Sequence, residues 1–159
     1  DLPVIGTDSF KLFVPATAQP GHRGGQLAGH VLLPKAPLLN LIGGPGFEFF
    51  VDGKNYDNDG KVQQEIKKTG PGLPEPGNWR IELMPASETK ADQFLVVMLP
   101  TLAGEKAPVS VRRVEDGKRV GAEIIGPKRT TRWWFVAGER GVTVEIIEGG
   151  SRTLHQLSG

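Results

Sequence analysis

Glycine and proline cut this chain into short apolar runs, and that punctuation leaves little room for any regular structure except strands. The 22 glycines and 13 prolines among 159 residues fall between β-branched and aromatic runs instead of gathering in one tract, which is the pattern of strands joined by turns. The runs predict strands at residues 10–14, 26–33, 38–42, 47–51, 79–84, 93–99, 109–114, 119–125, 130–136, 142–147 and 153–157. Helical spacing is seen only in 61–68, where Val62 and Ile66 stand between Gly60 and Gly70, and a polar strand suits that stretch equally.

Two joins carry explicit hairpin signals. Asp116-Gly117 sits between two runs, and residues 137–141 contain Gly138 and Gly141 between two more. The second half therefore reads as a meander, and the whole chain as all-β: a single antiparallel β-sandwich over residues 1–159, jelly-roll-like, with about ten to twelve strands. The segment 53–78 is polar and then rich in Pro and Gly, so it is expected to be a long loop.

Composition removes several classes of function. With no cysteine there is no disulfide, no thiolate zinc site and no thiol nucleophile. Lys and Arg number 19 against 18 Asp and Glu, a net charge of +1, so any preference for a charged partner must come from local clustering. Acidic residues interleave with the basic ones, which argues against nucleic acid. No apolar run is long enough for a membrane span. The chain starts at Asp1 without an initiator Met or a charged leader, and is expected to be an excised or processed piece of a larger protein.

Alternation along strands assigns side chains to faces. Trp79, Ile81 and Leu83 share one face, opposite Arg80 and Glu82, which makes Trp79 a core candidate. The run Phe94-Leu95-Val96-Val97-Met98-Leu99 is apolar on both faces, as in a central strand covered on both sides. In 130–136, Trp133 and Phe135 share one face while Arg132 and Trp134 share the other, so one indole is expected in the core and the other on display.

Several stretches together resemble a known family. They are Gly43-Gly44-Pro45-Gly46, then Phe49-Phe50-Val51-Asp52-Gly53-Lys54-Asn55-Tyr56, then Pro76-Gly77-Asn78-Trp79-Arg80-Ile81-Glu82 with Pro85, and Asp92-Gln93-Phe94-Leu95-Val96-Val97-Met98. The region from Gly25 to Thr101, about half the chain, is similar to the C-terminal β-sandwich of heparinase II/III-like polysaccharide lyases. These motifs suit turns, core and buried strand. The catalytic toroid of such lyases has no counterpart here, so the resemblance implies polysaccharide context without catalysis. It implies a carbohydrate-binding-type domain for a uronate-containing polymer of the alginate or glycosaminoglycan class, attached to the catalytic lyase domains of its parent chain. The setting it implies is secreted, periplasmic or cell-surface in a bacterium.

Recognition of such a polymer needs guanidinium or ammonium groups for its carboxylates or sulfates, with arginine favoured for its two-pronged geometry. Basic residues cluster at Arg112, Arg113, Lys118 and Arg119 around one hairpin, and at Lys128, Arg129 and Arg132 leading into Trp134. Arg132 and Trp134 are the preferred binding pair, with Arg80, Lys54 and Tyr56 as weaker companions. The plainer alternative is that these charges solvate an exposed face and protect its edges.

A lyase would need a base near the C5 proton. The single Tyr56 and the scattered His22, His30 and His155 form no recognisable constellation, so no catalytic residue is assigned. Asp57-Asn58-Asp59-Gly60 matches only part of a calcium loop, because no terminal Glu ligand follows. No cofactor is expected; calcium at Asp57 and Asp59 is the weaker option. The rival to a binding module is a packing domain that stabilises a lyase and has no ligand of its own.

Overall fold

The computed structural model of the chain describes residues 3–14, 21, 23–44, 47, 50–56, 59–63 and 79–158. Among them every regular element is a strand. These are β1 (Val4–Ile5), β2 (Ser9–Val14), β3 (Gly25–Leu33), β4 (Pro37–Gly43), β5 (Phe50–Val51), β6 (Lys54–Tyr56), β7 (Val62–Gln63), β8 (Trp79–Pro85), β9 (Leu95–Leu102), β10 (Ser110–Asp116), β11 (Arg119–Ile125), β12 (Arg129–Val136), β13 (Val142–Glu148) and β14 (Ser151–Leu157). The all-β antiparallel reading holds.

Among the described residues four sheets form, in the orders β1-β2-β3-β9, β10-β11-β12-β13-β14, β4-β8 and β5-β6-β7. All pairings are antiparallel. The five-stranded sheet is a plain meander, as its hairpin signals require. At its first turn Asp116 pairs with Arg119, leaving Gly117-Lys118 as a two-residue loop. Gly117 has a φ of 60°, the positive value that a II′ hairpin asks of its first central residue and that glycine adopts without steric cost.

Two expectations change. The segment 53–78 contains two short strands, β6 and β7, which complete the three-stranded sheet with β5; residues 57, 58 and 64–78 lie outside the described residues. The run expected to be a central strand is β9, which stands at the end of its sheet with Phe94 and Met98 exposed. Apolar residues on both faces there mark a strand with uncovered apolar surface, not one covered twice.

Alternation gives the five-stranded sheet two unlike faces. One carries Val111, Val120, Ala122, Ile124, Trp133, Phe135, Val142, Val144 and Ile146, with Ala122 and Val144 buried. Val120 and Phe135 line a groove of about 350 Å³ with Leu33, Phe94 and Leu95, so this face is turned toward the β3–β9 side of the molecule. An ion pair of 3.5 Å between Lys35 and Glu115 links the β3–β4 turn to β10. Elsewhere Arg80 joins two of the smaller sheets by donating from Nη2 to the Phe50 carbonyl at 2.6 Å. Trp79 is half-buried on β8.

The second face of the meander carries Arg112, Glu123, Arg132, Glu145 and Arg152 together with the apolar Val114, Ile125, Trp134, Val136, Ile147 and Leu154. Directly across from Trp134 is Gly121, and a side chain there would collide with the Trp133 carbonyl and approach the Trp134 ring at 3.2 Å. The missing Cβ is what lets the indole lie against β11, an aromatic covering a strand glycine. Gly121→Ala is expected to cost about 2–3 kcal/mol by overpacking, read as a lowered urea midpoint with an unchanged slope. An unchanged midpoint would show that the indole does not depend on this gap.

Candidate functional site

The second face is organised by register. Arg112 of β10 is opposite Glu123 of β11, Glu123 is opposite Arg132 of β12, and Arg132 is opposite Glu145 of β13. Arg152 of β14 lies on the same face, diagonally from Glu145. The result is a row of alternating sign across four strands, Arg112, Glu123, Arg132 and Glu145, with Leu154 of β14 opposite Glu145 and Arg152 two residues to one side of the row.

The two signs differ in exposure. Glu123 and Glu145 are each 1% exposed, whereas the side chains of Arg112, Arg132 and Arg152 are 65%, 31% and 61% exposed. The carboxylates thus lie beneath the guanidiniums. Arg112 and Arg132 donate from Nε to opposite oxygens of Glu123, the second bond measuring 2.7 Å. Arg152 approaches Glu145 through Nε at 2.5 Å, and Arg132 reaches the same carboxylate through Nη1 at 3.4 Å.

That choice of donor atom matters. An arginine held by Nε keeps terminal nitrogens in reserve, and among the described residues the Nη atoms of Arg112 and Arg152 and the Nη2 of Arg132 make no hydrogen bond. Each glutamate therefore orients guanidiniums without using up their outward donors. The ion pairing also sets charge. Hydrogen bonding from Arg112 pulls the Glu123 carboxyl below its ordinary value, against the opposing effect of burial and with further help from Arg132. The Arg132 guanidinium is pushed upward, first by its bond to Glu123.

Trp134 forms the floor next to the row. It is 8% exposed, donates from Nε1 toward Glu145 at 3.4 Å, and is covered by the Arg119 guanidinium 5.0 Å from the ring centre. Arg132 and Trp134 do share a face, as alternation predicts. The display of Trp134 does not hold: its ring is closed over by Arg119 and the strand glycine, and the exposed indole is Trp133, at 36%, on the other face. Trp134 therefore supports the row and cannot offer a ring face to a sugar.

The other predicted residues are dispersed. Arg113 pairs with Glu115 at 2.8 Å on the apolar face. Arg129 shares that face's parity on β12, and Lys128 precedes it, both exposed. Lys118 and Arg119 bound the first hairpin, with Arg119 paired to Asp116. Arg80 is engaged with Glu82 at 3.0 Å and with Phe50, and Lys54 and Tyr56 belong to β6; no strand pairing connects these three to the row.

Sequence reasoning missed Glu123, Glu145 and Arg152. A signal for the first was present: counting back four residues from Asp116 and forward four from Arg119 brings Arg112 opposite Glu123. Among the former base candidates, His30 is half-buried on β3, His155 is exposed on β14, and His22 lies outside the described residues. Asp57 also lies outside them, and Asp59 is exposed in a turn. Among the described residues no three acidic or imidazole side chains gather in a way that would hold a metal ion. Among the described residues no helix is long and apolar enough to cross a membrane. Neither protein-family models nor curated proteins give a match to this chain.

Proposed function

We propose that the chain is a non-catalytic carbohydrate-binding module for an acidic, uronate-containing polysaccharide, and that it serves as an accessory domain beside the catalytic domains of a polysaccharide lyase. The observation that carries this reading is the row with Arg152 beside it: three guanidiniums on one open sheet face, each anchored through Nε on a buried carboxylate. Outward Nη pairs of this kind suit two-pronged hydrogen bonding to carboxylate or sulfate. Because the anchors are inside the protein, little side-chain freedom remains to be lost on binding. The likeness of the sequence motifs to the lyase sandwich supplies the polysaccharide context, and a secreted or cell-surface bacterial setting accords with it.

The test is affinity electrophoresis through gels containing alginate, unsulfated chondroitin or heparan sulfate. Wild type is expected to be retarded by at least one of them. The Arg112→Ala/Arg152→Ala variant should weaken that binding tenfold or more, while Arg113→Ala/Arg129→Ala, on the opposite face, leaves it unchanged. Equal loss in both variants would reduce the effect to overall charge and remove the row from the account.

A second reading has its own observation. Leu38 and Met84 are paired across β4 and β8 and both exposed, and Phe94 and Phe135 line an apolar groove. A packing domain would bury such surface against its parent's catalytic domains. That reading predicts no retardation of wild type by any of the polymers.

A further inference from the structure

The last strand of the meander has an unguarded edge. β14 pairs with β13 in unbroken register along its whole length, and among the described residues no strand lies beyond it. Edge strands are commonly blunted by lysine, proline, a bulge or an inward-pointing charge. The sequence of β14, Ser-Arg-Thr-Leu-His-Gln-Leu, contains neither Lys nor Pro, its pairing has no bulge, and its one arginine is held by Glu145. Every one of its residues is exposed, and Leu154 at its centre is 58% exposed.

The turn before β14 fixes where its backbone groups point. Gly149 and Gly150 both have positive φ and form a two-residue loop between Glu148 and Ser151, which makes those two residues a hydrogen-bonded pair. By alternation Ser151, Thr153, His155 and Leu157 spend their N–H and C=O groups on β13. Arg152, Leu154 and Gln156 turn theirs outward.

We infer that two copies of this chain join edge to edge through β14, antiparallel about a two-fold axis at Leu154. Strands added to an open edge are held by just such outward groups. Leu154 is the midpoint of the strand, so this register overlaps all of it. Leu154 then faces its own copy, Arg152 faces Gln156, Thr153 faces His155 and Ser151 faces Leu157. The first two are hydrogen-bonded pairs made from the outward groups, two exposed leucines bury each other, and no like charges meet. The other edge of the sheet behaves differently: β10 centred in the same way sets Arg113 against Arg113. The axis stands perpendicular to the sheet, so the guanidinium faces of both copies lie on the same side. That is the arrangement one polymer chain would need to engage both copies, with the gain that two linked sites bring. The pairing itself stands on β14 alone and does not depend on polysaccharide binding.

Sedimentation equilibrium of the whole chain, over a concentration series up to about 1 mM, is expected to show the mass rising from 17.1 kDa toward twice that value. Leu154→Lys sets two ammonium groups against each other at the axis and should weaken the dimer about tenfold or more. Met98→Lys, at an equally exposed position on β9, should leave it unchanged, and thermal unfolding would establish that both variants fold as wild type does. Amide hydrogen exchange should slow at Arg152, Leu154 and Gln156 as concentration rises. A mass fixed at one chain throughout would overturn the inference. So would a dimer that survives Leu154→Lys with those three amides still exchanging freely, because its interface would lie elsewhere.

Discussion

Replacing Trp134 with alanine is expected to lower stability by about 3–4 kcal/mol, whereas the same change at Trp133 costs about 1–2 kcal/mol. The two indoles are neighbours in sequence on the same strand and differ only in the face they occupy. Trp134 is almost wholly buried against Gly121, under Arg119 and beside Glu145; Trp133 keeps about a third of its surface in water. Removing Trp134 leaves a void beside the Gly121 gap and uncovers the Glu145 carboxylate, so the loss of transfer free energy is joined by a cavity and a weakened ion pair. For a chain of this size the Trp134 variant should melt roughly 10 °C below wild type. Thermal and urea unfolding of the two variants side by side would check this, and equal losses would contradict the assignment of faces.

The second large effect is expected at Glu123. Glu123→Gln keeps the shape and removes the charge that holds both Arg112 and Arg132, at a cost of about 2 kcal/mol at neutral pH. The cost falls short of a fully buried pair because both arginines retain exposure and can rehydrate. The dependence on pH follows from linkage. The carboxyl titrates below its ordinary 4.5 in the folded chain, so its stabilisation is fully present above that value and is lost as pH falls through the lower folded-state value. The gap between wild type and variant should therefore be constant from neutral pH down to about 4.5 and then close in acid. Urea titrations at a series of pH values would show it. A gap that persists in strong acid would mean that the carboxylate charge is not what the arginines need.

Much of the fold was legible because strand and turn are local properties. The runs between glycines and prolines mark the long strands within a few residues, and the Asp116-Gly117 and 137–141 turns mark the meander. Parity along β12 correctly separates Arg132 and Trp134 from Trp133 and Phe135. What parity within one strand does not contain is which face another sheet will cover. Both faces of β12 carry an indole, so the choice between a buried Trp134 and a displayed one was made by tertiary packing. The position of β9 was hidden for the same reason: two-sided apolarity does not distinguish a central strand from an edge that leaves Phe94 and Met98 exposed.

The site was partly legible. Clusters of arginine around the hairpins pointed to the right sheet, and Arg112 and Arg132 belong to the row. Their organisation depends on cross-strand register, which hairpin counting reaches for Arg112 and Glu123 but which becomes less secure with each further turn. Glu145 comes into line only after two more hairpins, and Arg152, diagonal to it, only after a third. Lys54, Tyr56 and Arg80 were grouped with them by residue type alone, and β6 and β8 place them in other sheets.

The central claim is that an acidic polysaccharide is held by the outward nitrogens of Arg112, Arg132 and Arg152. Nuclear magnetic resonance of arginine side-chain N–H groups reads that claim atom by atom, with unsulfated chondroitin added stepwise to the labelled chain. The account predicts saturable shifts at the Nη groups of these three arginines, with little change at Arg80, Arg113 or Arg129. Shifts confined to those other arginines, with the row unmoved, would contradict it.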